Sequence, residues 1–366
     1  MKVLVNYTGR IGGISLYALE MTKGLIANGV EVSAIISSDN AYRHEWEKIN
    51  LKKLVIINTY SNNITFIINS VAFWICKKNA IYQRLKEEKF DCIYEPGYSH
   101  WAEMVNSLFP NVPRWITLHD PIAHSGESLI NRLLETLWKK KIKKADKVII
   151  LSEVFKKYLI ENLGVDDEKI RVIPHGVFDF YNSNSNKKII KYRPDKINFL
   201  FFGRIEDYKG IKNLLMVYGI LERKYGNKVS LTLAGRGNIE KYKALFDNLR
   251  NVKIINRWID DDEVCGLFQG ENIVTVLPYL DATQSGVINI AMQNNSLIIA
   301  SATGGMVEQL GYGEYGILIN PNNQYDLYAA MQDVVDNYQE KIDMINKAKK
   351  SLERLKWDKL AKELVV

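Results

Sequence analysis

Short apolar runs alternate with longer stretches of helical periodicity over nearly the whole chain, the pattern that βαβ units and a parallel sheet leave in a sequence. Strand-like runs stand at Val3 to Asn6, Glu31 to Ile36, Cys92 to Tyr94, Trp115 to Leu118 and Val148 to Leu151. After Gly13, Leu16, Leu19 and Leu25 recur near helical spacing, and Gly29 is placed to stop that helix. The stretch from Phe178 to Lys196, with NSNSNKK followed by Pro194, is polar and turn-rich and reads as a connection. Beyond it the alternation restarts at Ile197 to Phe202, Leu231 to Ala234, Lys253 to Ile255, Ile273 to Leu277 and Leu297 to Ala300. The pattern predicts an α/β chain of two Rossmann-like, doubly wound domains facing each other across a cleft. Their expected bounds are 1–180 and 197–340, with a linker at 181–196 and helices over 341–366 that pack back on the first domain.

A chain of 366 residues exceeds one ordinary core, in keeping with two domains. A hydrophobic share of 47% beside 25% charged residues is ordinary globular composition and excludes a disordered or fibrous chain. The net charge of +7 favours an anionic partner. Nucleic acid is not expected, because no basic stripe interleaved with aromatic residues forms a recognisable module. Cys76, Cys92 and Cys265 are far apart in no ligand spacing, so neither disulfides nor zinc are expected. The opening MKVLVNYTGR reads as a first strand instead of a signal peptide, and no uncharged apolar run reaches the ~18 residues of a membrane span. The expected location is the cytoplasm.

In doubly wound sheets ligands bind beyond the carboxyl ends of the strands, which directs attention to five loops. Thr8 to Gly13, TGRIGG, is either a tight turn or a place where a substrate approaches the backbone at a helix start. In Leu118 to His124, His119 is either a structural histidine at a strand end or a donor to a sugar hydroxyl or phosphate oxygen. Phe202 to Gly210 contains Gly203, Arg204 and Lys209; the two cations either converge on one phosphate or belong to a surface cluster with Glu206 and Asp207. Ala234 to Asn238, with Gly235, is a second glycine-rich strand exit. Pro278 to Val287 opens a helix at which the amides of Gln284, Ser285, Gly286 and Val287 are free for a diphosphate, unless Thr283 or Ser285 merely caps it.

Taken in order, GG after the first strand, HD at 119–120, SE at 152–153, IPHGV at 173–177, FGRIEDYKG, LAGRG and SATGGMVEQL at 301–310 resemble the retaining GT-B glycosyltransferases of family 4 (glycosyl transferases group 1). The resemblance spans almost the entire chain. It implies that Gly13 lies near the donor phosphates or acceptor, that His119 lies beside the transferred sugar, and that Arg204 and Lys209 grip the diphosphate. It also implies that the loop of Arg257 and Trp258 holds the nucleobase, while Glu308 is either a further polar contact or an acid that merely suits a helix start. One departure stands out: the family's Glu-x7-Glu pair falls on Ala282 and Ile290, and ATQSGV replaces that loop.

The resemblance implies glycosyl transfer from a nucleotide-sugar donor, UDP- or GDP-linked, to a saccharide hydroxyl with retention. Arg204, Lys209 and helix-terminal amides would stabilise the leaving group. No cofactor and no metal are expected, since Asp260 to Asp262 read as a helix opening. Two segments bear on the acceptor. Ile64 to Trp74 is apolar and followed by Lys77 and Lys78, and Leu133 to Lys147 sets Leu134, Leu137 and Trp138 beside Lys139, Lys140, Lys141, Lys143, Lys144 and Lys147. Either these are solvated basic faces or they meet an anionic membrane. The second choice implies peripheral attachment to the inner face of the cell membrane and a polyprenyl-diphosphate-linked acceptor of bacterial surface polysaccharide. A non-catalytic glycan- or lipid-binding partner on the same fold, and a sugar-nucleotide epimerase, are the alternatives.

Overall fold

The Val- and Ile-rich runs pair as two wholly parallel sheets in the computed structural model, which describes residues 1–60, 62–97, 99, 101–122, 141–178 and 190–366. The first sheet comprises β1 (Lys2–Tyr7), β2 (Glu31–Ser37), β3 (Lys53–Ile57), β4 (Cys92–Glu95), β5 (Arg114–Leu118), β6 (Lys147–Ile150) and β7 (Ile170–Val172) in the order β3-β2-β1-β4-β5-β6-β7. The second comprises β8 (Ile197–Phe202), β9 (Val229–Ala234), β10 (Val252–Ile255), β11 (Ile273–Leu277), β12 (Leu297–Ser301) and β13 (Ile317–Ile319) in the order β10-β9-β8-β11-β12-β13. Each order reverses direction beside its first strand, between β1 and β4 and between β8 and β11. Connections leave to opposite sides there, and the loops beyond the carboxyl ends part to form a crevice.

Three strands were not anticipated from the pattern: β3, β7 and β13. All are sheet edges. β7 and β13 are three residues long, and β3 is only partly buried. Central strands are covered on both faces and read as apolar runs, whereas a short edge strand lacks that signal.

The described residues fall into two compact units, one of residues 1–121, 141–176 and 355–366, the other of residue 122 and the described part of 177–354. The helix Ile342–Ser351 belongs to the second unit, where it packs on Gly286–Gln293 with Ile345 and Ala348 buried. The helices over 341–366 were expected to pack back on the first domain; residues up to Arg354 stay with the second unit, and the chain rejoins the first at Leu355. From there the helix Trp357–Val365 lies along Gly13–Ala27. Asn28 Nδ2 donates to the Asp358 carbonyl at 2.6 Å, and Lys147 Nζ to the Leu364 carbonyl at 3.0 Å.

That cover explains why Gly13–Ala27 is apolar on more than one side: Leu16, Tyr17, Leu19, Met21 and Leu25 are all fully buried. The helix starts at Gly12, whose φ of 94° suits glycine, and stops at Gly29, φ 76°, whose N–H reaches the Ile26 carbonyl at 2.9 Å. No helix among the described residues is long and apolar enough to cross a membrane.

Gly24 marks the closest approach of the two helices: a Cβ there would run into the Trp357 carbonyl and stand 2.9 Å from the Ala361 Cβ. Gly→Ala within a helix ordinarily stabilises by about 1 kcal/mol. Here overpacking reverses the sign, and Gly24→Ala is expected to destabilise by about 1–3 kcal/mol. A urea titration reads this as a lowered midpoint; a raised midpoint would contradict the packing.

Candidate functional site

The strand exits of the second unit are tied side by side through backbone contacts at glycines. Gly203 leaves β8 at φ 135° and Gly235 leaves β9 at φ 146°, where residues bearing a Cβ are strained. The Gly203 N–H donates to the Ala234 carbonyl at 3.0 Å, and a Cβ on Gly235 would run into the Gly203 carbonyl. Further out, the Ile205 N–H donates to the Arg236 carbonyl at 3.0 Å. The β10 exit joins the row where the Gly237 N–H meets Asn256 Oδ1 at 3.0 Å. On the other side, Gly210, φ 71°, starts the helix Ile211–Tyr225 directly against the Pro278 carbonyl, and the Leu280 N–H donates to the Tyr208 carbonyl at 2.7 Å. The Gly305 N–H closes the row on the Thr283 carbonyl at 2.8 Å.

This row brings Lys209 to the β11 exit, its Nζ lying 3.7 Å from the centroid of the Tyr279 ring. The Tyr279 hydroxyl stands 3.4 Å from Ser285 Oγ, at the cap of the helix Gly286–Gln293. The two acids between Arg204 and Lys209 are engaged elsewhere. Asp207 accepts from Lys241 Nζ at 2.6 Å and from the Tyr242 hydroxyl at 2.7 Å, and the Lys241 contact holds its carboxyl below the usual range. Glu206 pairs with Arg204 at 3.0 Å on an exposed part of the loop, a contact worth at most about 1 kcal/mol. Lys209 makes no ion pair among the described residues. Its ammonium is held by aromatic faces beside a helix start, which leaves its charge available to an anion.

The fifth loop corrects one expectation. The Ser285 N–H is not free: it donates to Gln309 Oε1 at 3.0 Å, and Gln309 Nε2 donates back to the Ser285 carbonyl at 3.2 Å. Gly286 and Val287 are the first two residues of the helix, where N–H groups lack an intrahelical acceptor. Ala282 and Ile290, the positions of the absent carboxylates, are both buried. Glu308 is half-buried in the short helix Met306–Gln309. Gln309 itself escaped the sequence reading, although it directly follows Glu308 in the SATGGMVEQL motif.

At the β10 exit Trp258 is 53% exposed, whereas the Arg257 guanidinium is taken by both oxygens of Glu263 at 2.6 and 2.8 Å. That pairing engages the guanidinium, while the Trp258 ring stands exposed. Asp260 opens the helix Asp261–Val264, with Glu263 accepting from the Asp260 N–H at 3.2 Å. No group of three or more His, Cys, Asp or Glu able to hold a metal stands among the described residues.

In the first unit Gly13 is the first residue of Gly13–Ala27, and Gly97, beyond β4, lies close to both Ile14 and the His119 ring beyond β5. His119 Nε2 lies 2.9 Å from the Pro96 carbonyl, which only accepts, so Nε2 carries the proton. Burial lowers its pKa, and the ring is neutral at pH 7. In this tautomer Nδ1 holds a lone pair and accepts, while Nε2 is used on Pro96. Tyr17, missed in the sequence, stacks edge-on against His119 at 4.6 Å and also meets His175 and Trp357, at 5.7 and 5.1 Å. His175 Nδ1 donates to the Gly176 carbonyl at 2.8 Å, and burial pushes its pKa down to about 4.

Of the lysine run, Lys139 and Lys140 lie outside the described residues, and Lys143 and Lys144 are exposed. Lys141 is not a surface charge. It pairs with the fully buried Glu95 at the end of β4, whose other oxygen accepts from Asn106 Nδ2 at 2.7 Å.

The family model described as "Glycosyltransferase Family 4" matches residues 11–178, and that described as "Glycosyl transferases group 1" matches residues 182–351. An uncharacterized glycosyltransferase of Methanocaldococcus jannaschii is 27% identical over 56% of this chain and 53% of its own length, so the match spans about half of that relative. A second from the same organism is 23% identical over 97% of this chain and 93% of its own length. Among solved structures, sucrose-phosphate synthase from Thermosynechococcus elongatus superposes with a TM-score of 0.74 at 19% identity, covering 100% of this chain and 98% of that one. Anabaena HepE in complex with UDP and glucose superposes at 0.73 and 18% identity, with the same coverage.

The His175 environment generates a pH dependence. The folded group titrates at about 4 and the ordinary value is 6.5, so between these the unfolded chain binds the extra proton. Stability from this residue is complete above pH 6.5 and lost as pH falls toward 4, by roughly 3 kcal/mol in full. The drop in urea midpoint between about pH 7 and about pH 4.5 is expected to be smaller in His175→Gln than in the wild type. Equal drops would contradict the assignment.

Proposed function

Because the chain belongs to the GT-B glycosyltransferases of group 1, we propose that it transfers a hexosyl group from a nucleoside-diphosphate sugar to an acceptor hydroxyl, with retention at the anomeric carbon. The observation that carries the donor half of this reading is Lys209, seated over Tyr279 beside the helix start at Gly286 and Val287, at the point where the order of the second sheet reverses. A diphosphate at that point meets one ammonium and two helix-terminal amides. Arg204, on the same loop, reaches the outer phosphate once it exchanges its exposed pairing with Glu206.

Chemically, the sugar–oxygen bond breaks toward an oxocarbenium-like state while charge grows on the leaving diphosphate. Preorganised cations and amides are worth most where charge develops, and the site supplies both without calling on a metal. In the first unit His119 faces the transferred sugar in our reading, its Nδ1 accepting from a hydroxyl while Pro96 fixes the ring. Trp258 offers a surface for the base. The HepE structures described with UDP and with UDP-glucose support a nucleotide sugar as donor class, which we read as UDP- or GDP-linked. Retention is supported by the ordered motifs shared with the retaining family. For the acceptor we read a lipid-linked saccharide of bacterial surface polysaccharide assembly, which puts the enzyme at the cytoplasmic face of the membrane.

A thermal-shift screen with UDP, GDP, ADP and CMP tests this. A ligand at a hundred times its dissociation constant stabilises by about 2.7 kcal/mol. One nucleoside diphosphate is expected to raise the melting temperature without added metal, and Arg204→Ala and Lys209→Ala to abolish the rise. A chain that responds to none of them would instead be a non-catalytic member of the fold, with the apolar Ala282 and Ile290 as the reason.

A further inference from the structure

The helix Asn63–Ala72 is held in place at its start: Asn62 Oδ1 accepts from the Thr65 N–H at 2.9 Å, and Thr65 Oγ1 accepts from the Asn62 N–H at 2.9 Å. It continues through a π-helical turn, Phe73–Lys77, into Lys78–Leu85. Its inward side is already satisfied. Phe73 is fully buried, with its ring 5.8 Å from that of Trp101, Phe66 packs on the same core, and Asn69 Nδ2 donates to the Thr59 carbonyl at 2.7 Å.

The outward side is apolar as well. Ile64, Ile67, Ile68, Val71, Trp74 and Ile75 recur at helical spacing and are all at least half exposed, with Ile75 at 76%. A continuous exposed apolar stripe on an ordered helix marks an interaction surface. The charge around it is one-sided. Between Glu47 and Glu87 the sequence has no acidic residue, while Lys77, Lys78, Arg84 and Lys86 follow the stripe. Lys78 Nζ lies over the Trp74 ring, 4.3 Å from its centroid, a cation–π contact that puts a positive charge at the end of the stripe.

We propose that this face docks on an anionic lipid bilayer. The helix lies in the plane of the headgroups, the isoleucines and Trp74 enter the acyl boundary, and Lys77 and Lys78 meet lipid phosphates. A second copy of the chain suits the face poorly. A two-fold pairing would set cations against cations, and the segment offers no carboxylate to compensate. The docking stands on this surface alone, independent of the donor chemistry.

Cys76 is exposed within the same segment while Cys92 and Cys265 are buried, so the native chain accepts one environment-sensitive fluorophore at the proposed interface. Vesicles of phosphatidylcholine with phosphatidylglycerol are expected to shift its emission to the blue, and the unlabelled protein to sediment with them. The combination Ile67→Ser, Ile68→Ser and Val71→Ser changes only exposed side chains and is expected to keep the wild-type melting temperature while weakening vesicle binding at least about tenfold. Lys77→Gln with Lys78→Gln is expected to weaken binding by about tenfold on anionic vesicles alone. Equal sedimentation of wild type and triple variant would overturn the proposal. So would a concentration-dependent dimer that the triple variant loses, since the face would then belong to a second copy. Vesicle binding without any nucleotide response leaves the docking standing and sinks only the transfer reading; the converse result sinks only the docking.

Discussion

Backbone packed against backbone at Gly203, Gly235 and Gly210 is the constraint on which the second unit's site depends. At each of these positions φ is positive. At Gly235 and Gly210 a Cβ would also collide with a neighbouring carbonyl. The absence of side chains lets the exits of β8, β9 and β11 lie edge to edge, and that spacing sets Lys209 over Tyr279 rather than in solvent. Held this way, a lysine loses little further freedom when an anion arrives. The same row carries Tyr279 to Ser285, and Gln309 clamps Ser285 through both its backbone groups, so the helix start beside the lysine is fixed too.

The first unit uses a different device for a similar end. Its crevice residues are positioned by buried side chains: Tyr17 supports the His119 and His175 rings, and Trp357, returning from the far end of the chain, packs on Tyr17 and on Gly176. Burial keeps both histidines neutral, and the Pro96 and Gly176 carbonyls fix one ring nitrogen of each. The terminal helix is therefore part of the site's support as well as of the core.

The sequence made the central strands and the glycine-bearing exits legible, because doubly covered strands are apolar runs and because glycine next to such a run marks a turn. Of the edge strands, β7 and β13 escaped for lack of length and β3 for lack of cover. Within the site, the residues on the chain's own loops were named, while their partners were not. Glu263 on Arg257, Gln309 on Ser285 and Glu95 under Lys141 each come from another strand or helix, and no periodicity announces such pairings. Lys141 illustrates the limit well. In a run of lysines every member looks solvated, and only the end of β4 reveals that one of them neutralises a buried carboxylate.

Hydrogen–deuterium exchange with and without the stabilising nucleoside diphosphate tests the central claim most directly, because it locates the anion on the chain. The account predicts slowed exchange in peptides covering 203–210 and 284–287, with the Ser285 amide already slow in the free protein. Protection confined to other segments, leaving both of these loops unchanged, would contradict it.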